Sequence, residues 1–297
     1  MLPFLTAPLQ LLHLDWLETA GIQVAVLRLD LIDPQISGNK AFKLVPYWQA
    51  AKAQGLHGLM SLGGAHSNHL HALAAMGQRL GLPTVGLLRG HEQPTPTVLD
   101  LQAMGMQLHW LGYGGYRQRH APGFWAPWQA RYAHLLAVPE GGSGALGAQG
   151  CAGLPALVEA QLAGLGWADF DAWWLAVGTG TTLAGLVLAE QGRRRVYGAM
   201  AVPAGHGVAE TVAALAAEGR HYRLLDASGG GFGQVSPALL SFMAEVEKSS
   251  GLPLEPLYTA KALAALRDRA AAGDLRRGTR LVFVHTGGLQ GRRGFGL

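Results

Sequence analysis

The feature that most constrains this chain is an alternation. From Gln23 almost to the end, short runs of β-branched and apolar residues trade places with longer stretches whose apolar side chains recur at helical spacing. Strands that alternate with helices in this way belong to an α/β fold with mostly parallel sheets. The runs predict strands at residues 24–29, 58–62, 84–88, 107–111, 135–138, 173–177, 196–201 and 281–285. The periodic stretches predict helices at 68–80, 98–104, 154–162, 183–190, 208–218, 237–248 and 261–271. Pro46 falls inside what would otherwise be one helix from Lys40, so a kink or restart is expected there. Segments 112–128 and 226–234, both rich in glycine, are expected to be irregular connections.

A chain of 297 residues exceeds the usual span of one hydrophobic core, so two domains are expected. No linker-like tract separates them, and such domains must share an interface; clefts at such interfaces are common ligand sites. With 49% hydrophobic and only 14% charged residues, the composition suits a well-buried protein and not a disordered one. The net charge of +4 resides mainly in late arginines (193–195, 276, 277, 280, 292 and 293) without a basic, aromatic-interleaved helix. They read as solvated surface, and no nucleic-acid partner is expected. Cys151 is the only cysteine, which excludes an intrachain disulfide. The first cationic residue is Arg28 and no apolar stretch is long enough to span a bilayer, so a soluble cytoplasmic protein without a membrane partner is expected. No metal site is expected.

Three segments carry chemistry. In SGNKAFKL (37–44) a Gly-Asn turn delivers Lys40 at a helix start. The positive end of the helix dipole disfavours an ammonium there and favours a nucleophilic neutral amine. A surface lysine after a turn would look the same. In SLGGAHSNH a strand ends in Gly63-Gly64, and Ser67, Asn68 and His69 open a helix. Ser67 suits an N-cap, and the free amides of that first turn suit a carboxylate. In LAVGTGTTLAG a buried strand runs into Gly178, Thr179, Gly180, Thr181 and Thr182 and then a helix. Converging amides, threonine hydroxyls and the helix N-terminus make a phosphate cradle, and neither the Walker nor the dinucleotide spacing is met. Two later pieces, LYTAKAL with Tyr258 and Thr259, and VFVHTGG with Thr286, stand at a helix start and a strand end.

Taken in order, SGNKAFKL, SLGGAHSNH, VPEGGSGALG, VGTGTT, LYTAKAL and HTGG resemble the 1-aminocyclopropane-1-carboxylate (ACC) deaminase and D-cysteine desulfhydrase family over nearly the whole chain. The resemblance implies a fold type II pyridoxal-phosphate (PLP) enzyme, a homodimer built from two three-layer α/β/α domains with mostly parallel open sheets. The implied division is a large PLP-binding domain (1–46 with 139–297) and a small domain (47–138) that closes over the site. It also implies Lys40 as the Schiff-base lysine, Asn68 as partner of the PLP ring hydroxyl and residues 178–182 as the phosphate loop. Ser67, Asn68 and His69 would grip the substrate carboxylate, with Ser67 and Tyr258 near the reacting carbons. Either Thr259 or Thr286 would face the ring nitrogen.

The implied substrate is a small amino acid. ACC deaminases carry glutamate where this chain has Thr259, as the desulfhydrases do; a hydroxyl stabilises a protonated ring nitrogen less than a carboxylate would. That favours β-elimination from D-cysteine, giving pyruvate, ammonia and sulfide, over opening of the ACC ring. Phe232 stands where relatives carry a substrate-facing tyrosine, and His69 replaces the glutamine of ACC deaminases. The loss of the hydroxyl at Phe232 leaves room for a third reading, a PLP-binding protein with little turnover.

Overall fold

The structure, a computed structural model, describes residues 6–216 and 221–297. Ten strands are found among them: β1 (Leu9–Leu12), β2 (Gln23–Arg28), β3 (Gly58–Gly63), β4 (Thr84–Leu88), β5 (Gln107–Trp110), β6 (Leu135–Ala137), β7 (Ala172–Val177), β8 (Arg195–Met200), β9 (Tyr222–Asp226) and β10 (Arg280–His285). The helices are α1 (Asp15–Ala20), α2 (Asn39–Ala53), α3 (Asn68–Leu80), α4 (Pro96–Ala103), α5 (Gly112–Arg117), α6 (Ala126–Arg131), α7 (Ala145–Cys151), α8 (Leu154–Glu159), α9 (Thr181–Glu190), α10 (Val208–Ala216), α11 (Pro237–Ser250) and α12 (Thr259–Ala271).

The strands form a six-stranded sheet, ordered β1-β2-β10-β7-β8-β9, and a four-stranded sheet, ordered β5-β4-β3-β6. All pairs are parallel except β1 with β2. Successive side chains of a strand face opposite sides, and the large sheet shows this directly. Leu27, Trp173, Leu175, Val282 and Val284 enter one core, and Val26, Trp174, Ala176, Leu281 and Phe283 the other. Strands covered on both faces read as continuous apolar runs, which is why AWWLAV was legible as a strand. The adjacent indoles part to opposite faces, and each buried N–H finds an acceptor: Trp173 on Glu190 Oε1 at 2.7 Å, Trp174 on the Ala262 carbonyl at 2.8 Å. The first core runs on through Phe42 and Leu44 of α2 and Leu70 and Leu73 of α3 to Leu59 and Leu88 of the small sheet.

Most predicted elements are present with ends shifted by a residue or two. The edge strands β1 and β9 were not foreseen, because LQLL is short and YRLLD is half exposed. The expected helix at 208–218 is found as α10 to Ala216; residues 217 and 218 lie outside the described residues. The break expected at Pro46 is absent, for α2 runs through it. The proline removes the partner of the Phe42 carbonyl, and Gly150 of α7 approaches that oxygen so closely that a β-carbon there would lie 2.0 Å from it. Segment 112–128 is not irregular throughout, since it holds α5, a 3₁₀ turn (Gln118–His120) and the start of α6. No helix among the described residues is long and apolar enough to cross a membrane.

Candidate active site

Open α/β sheets gather ligand groups at the carboxyl ends of their strands. Here the segments that follow β2 and β10 are drawn together by a backbone approach that only glycine permits, and the loop after β7 is tied to them by a side chain. A β-carbon on Gly38, which precedes α2, would lie 2.1 Å from the Thr286 carbonyl oxygen. The Asn39 amide donates to that same oxygen at 3.1 Å. The turn bearing Lys40 therefore rests on HTGG. Its other side is tied to the glycine-threonine loop, where Asn39 Nδ2 donates to Thr182 Oγ1 at 2.9 Å.

Lys40 and Lys43 stand three residues apart and so on one face of α2. Both donate to one acceptor, the Gly141 carbonyl, at 3.2 and 3.4 Å. Burial, and then the neighbouring Lys43 charge, push Lys40 well below the ordinary lysine range. Burial also lowers Lys43, which is only 2% exposed. Neither makes an ion pair with a described carboxylate. Glu140, the adjacent acid, is taken by Tyr116 at 2.5 Å and Arg119 at 2.7 Å.

The phosphate-loop candidates follow β7. Gly180 caps α9 at φ +82°, and Thr181 and Thr182 are buried. Thr179 Oγ1 lies 3.1 Å from Thr181 Oγ1. A β-carbon on Gly141 would lie 2.9 Å from Thr179 Cγ2 and 3.7 Å from Lys40 Nζ, so loop and amine border the same glycine.

Across from them, Ser67 caps α3, its Oγ accepting from the Leu70 amide at 3.2 Å. Asn68 Oδ1 accepts from Gln290 Nε2 at 3.0 Å. His69 turns inward. Ser61 Oγ gives its proton to the Val138 carbonyl at 2.8 Å, so it must accept from His69 Nε2–H, also at 2.8 Å. Nδ1 is left as an acceptor, buried without a protein partner and 3.6 Å from where a β-carbon on Gly142 would sit. Burial and then the charges of Lys40 and Lys43 keep the ring neutral.

Tyr258 leans over the loop: a β-carbon on Gly178 would lie 3.2 Å from its ring. Burial, then Glu255 and Glu140, raise its phenol far above the usual range. Phe232 sits beside it, ring centres 6.0 Å apart, and is 51% exposed. Thr259 is fully buried, and its hydroxyl is spent within its own turn, accepting from the Glu255 amide at 2.8 Å. Thr286 is half-buried and its hydroxyl makes no hydrogen bond among the described residues.

Sequence reasoning passed over Lys43, Glu140, Gly141, Glu255 and Gln290. Only Lys43 left a signal, a lysine on the face of α2 that Lys40 occupies, and PEGG was quoted without a role. Glu255 accepts from the Leu257 amide at 3.0 Å and the Thr259 amide at 2.8 Å, and burial pushes its carboxyl up to about 7.

This donor set suits PLP. A lysine whose ammonium form is disfavoured by burial is suited to bond an aldehyde. Lys43, buried and without a described carboxylate partner, and the N-terminus of α9 suit a multiply charged anion such as a phosphomonoester.

A family model described as pyridoxal-phosphate dependent enzyme matches residues 4–287. A Pyrococcus abyssi protein named "Putative 1-aminocyclopropane-1-carboxylate deaminase" is 29% identical over 286 residues, covering 91% of this chain and 86% of the relative. The crystal structure of an ACC deaminase homologue superposes with a TM-score of 0.84 at 27% identity, covering 98% of this chain and 92% of that one. A threonine deaminase from Solanum lycopersicum shares the fold, with a TM-score of 0.69 at 16% identity over 95% of this chain and 79% of that one.

Proposed function

We propose, for a chain that belongs to the family of pyridoxal-phosphate-dependent enzymes, that it is a lyase eliminating the β-substituent of a small amino acid, with D-cysteine as the substrate to try first. The balance is D-cysteine plus water giving pyruvate, ammonia and hydrogen sulfide. The observation that carries the reading is the pair Lys40 and Lys43 on one carbonyl at the edge of the 178–182 loop.

When bound, PLP supplies an aldehyde for the substrate amine and an electron sink that acidifies the substrate α-carbon. Lys40 Nζ would be the group that holds the cofactor and the base that moves the substrate α-proton. The first amides of α9, with Lys43 Nζ, would hold the phosphate. The first amides of α3 and the Ser67 hydroxyl hold the substrate carboxylate, and Asn68 meets the ring hydroxyl. Tyr258, kept protonated, offers its O–H to the departing sulfur. Thr259 is closed within its turn and both Glu255 oxygens are taken by backbone amides, which leaves Thr286 for the ring nitrogen. A hydroxyl there supports elimination more than ring opening.

We also take the segment around the four-stranded sheet (47–138) as the unit that closes over the site, and the assembly as a homodimer, which light scattering would test. The names of the Pyrococcus relative and the homologue structure favour ACC as the second substrate.

The experiment is the near-visible absorption of the purified protein before and after D-cysteine, with sulfide and pyruvate measured, beside Lys40→Ala. A band perturbed by D-cysteine, products formed, and loss of both in the variant are expected. Release of α-ketobutyrate from ACC without sulfide from D-cysteine would move the reading to ACC deaminase; a protein that PLP cannot colour would end it.

A further inference from the structure

The C-terminal 3₁₀ segment Leu289–Phe295 has no part in the chemistry just described, yet one of its side chains reaches into the site. Gln290 Nε2 donates to Asn68 Oδ1 at 3.0 Å, joining the segment after β10 to the first residue of α3. The segment is held at several points. The Gly291 amide donates to the Gly288 carbonyl at 2.9 Å, Arg292 pairs with Glu247 of α11, and Arg293 pairs with Asp100 of α4. Gln290 thus approaches Asn68 from a fixed frame.

Gln290 occupies one lone pair of the Asn68 oxygen, and among the described residues Nδ2 makes no hydrogen bond. That nitrogen lies 2.7 Å from where a β-carbon on Gly288 would sit. Gly288 has φ +87°, so both its conformation and the space exclude a side chain. The amide nitrogen therefore rests against the bare backbone of Gly288, in the segment after β10.

We propose that Gln290 is a positioning residue that fixes the orientation of the Asn68 amide, so that Asn68 offers an N–H donor and not its carbonyl oxygen to the ring hydroxyl of PLP. An asparagine without a partner can present either end by a half-turn of its amide. Only the donor stabilises an ionised ring oxygen. The inference rests on the assignment of Asn68 to that hydroxyl, and the test separates the two.

Reconstitution of the apoprotein with PLP gives a dissociation constant, and the pH titration of the near-visible band gives a midpoint. Both are measured for wild type, Gln290→Leu, Gln290→Glu, Asn68→Ala and the Gln290→Leu/Asn68→Ala pair, with thermal melting as a control for folding. Loss of one neutral hydrogen bond predicts that Gln290→Leu weakens PLP binding by roughly 3- to 10-fold and moves the midpoint by roughly 0.4 to 1 unit, in the same direction as Asn68→Ala. Gln290→Glu, whose carboxylate only accepts, draws Nδ2 to itself and has an effect at least as large. In the Asn68→Ala background Gln290→Leu adds nothing further. Changes in Gln290→Leu that persist in that background, or a change in melting without a change in the band, would overturn the role of Gln290. An unaltered band and affinity in Asn68→Ala would remove the assignment beneath it, and the inference with it.

Discussion

Arg28 and Asp30, at the end of β2, form a closed network. Arg28 Nε and Nη2 donate to the two Asp30 oxygens at 2.9 and 2.6 Å, Nη1 to Gln10 Oε1 at 3.0 Å, and His285 Nδ1 lies 3.2 Å from Asp30. Further along the chain, half-buried Lys40 and buried Lys43 share a single carbonyl and pair with no described carboxylate. A buried charge is tolerated when its partner is built in, and costs stability otherwise. The first network supports the sheet whether or not a ligand binds, while the second, on the function proposed above, takes its anion from the ligand.

The sharpest break in the comparison is Asp30→Ala, which strands a buried guanidinium and should cost roughly 3–5 kcal/mol in denaturant unfolding. A cost below about 1 kcal/mol would mean that the network is as exposed as a surface pair. Glu255 sharpens the closed side further. Burial raises its folded pKa from 4.5 to about 7, so its contribution is fully present below about 4.5 and is lost as pH rises through about 7. The loss amounts to about 3 kcal/mol at most, and Glu255→Gln should flatten that part of the stability–pH curve.

On the open side the expected signs reverse. Lys43→Met removes a cation whose folded pKa is lowered, a cation that destabilises the apoprotein at neutral pH and less so as pH rises towards 10.5. The apoprotein should melt at the same temperature or higher, while PLP affinity falls by about 10- to 100-fold, the worth of a charge-assisted hydrogen bond. A lower melting point with unchanged affinity would place Lys43 among the structural charges. The smallest effect is expected at Ser67, where Ser67→Ala should cost about 1 kcal/mol through the lost cap of α3 and raise KM for the amino acid. Loss of stability alone would leave Ser67 as a cap and nothing more.

How much was legible follows from where each signal lies in the chain. The β7 run, the α3 periodicity from Asn68 to Leu80 and the glycine-threonine loop are local, and each is found as an element or turn of the expected kind. Lys40, Ser67 and Tyr258 are legible as candidates because each sits at a helix start, where unpaired backbone groups make unusual residues visible. The hydroxyl of Thr259 turns back to the Glu255 amide, a matter of side-chain direction that one sequence does not reveal. Gln290 and Asn68 stand 222 residues apart, and nothing in HTGGLQ advertises the pairing.

The sequence by itself determined the α/β class, the two-faced burial of the central strands and the points where strands hand over to helices. Side-chain period and turn chemistry are encoded within a few residues of one another. Only the tertiary structure decided that Pro46 would leave α2 whole, that two lysines would share the Gly141 carbonyl, and that Asn68 would be gripped from the C-terminal segment. Those outcomes depend on which backbone oxygen, glycine or side chain arrives from a distant stretch of chain. Close packing settles such arrivals, and it acts only once the sheets and helices have met.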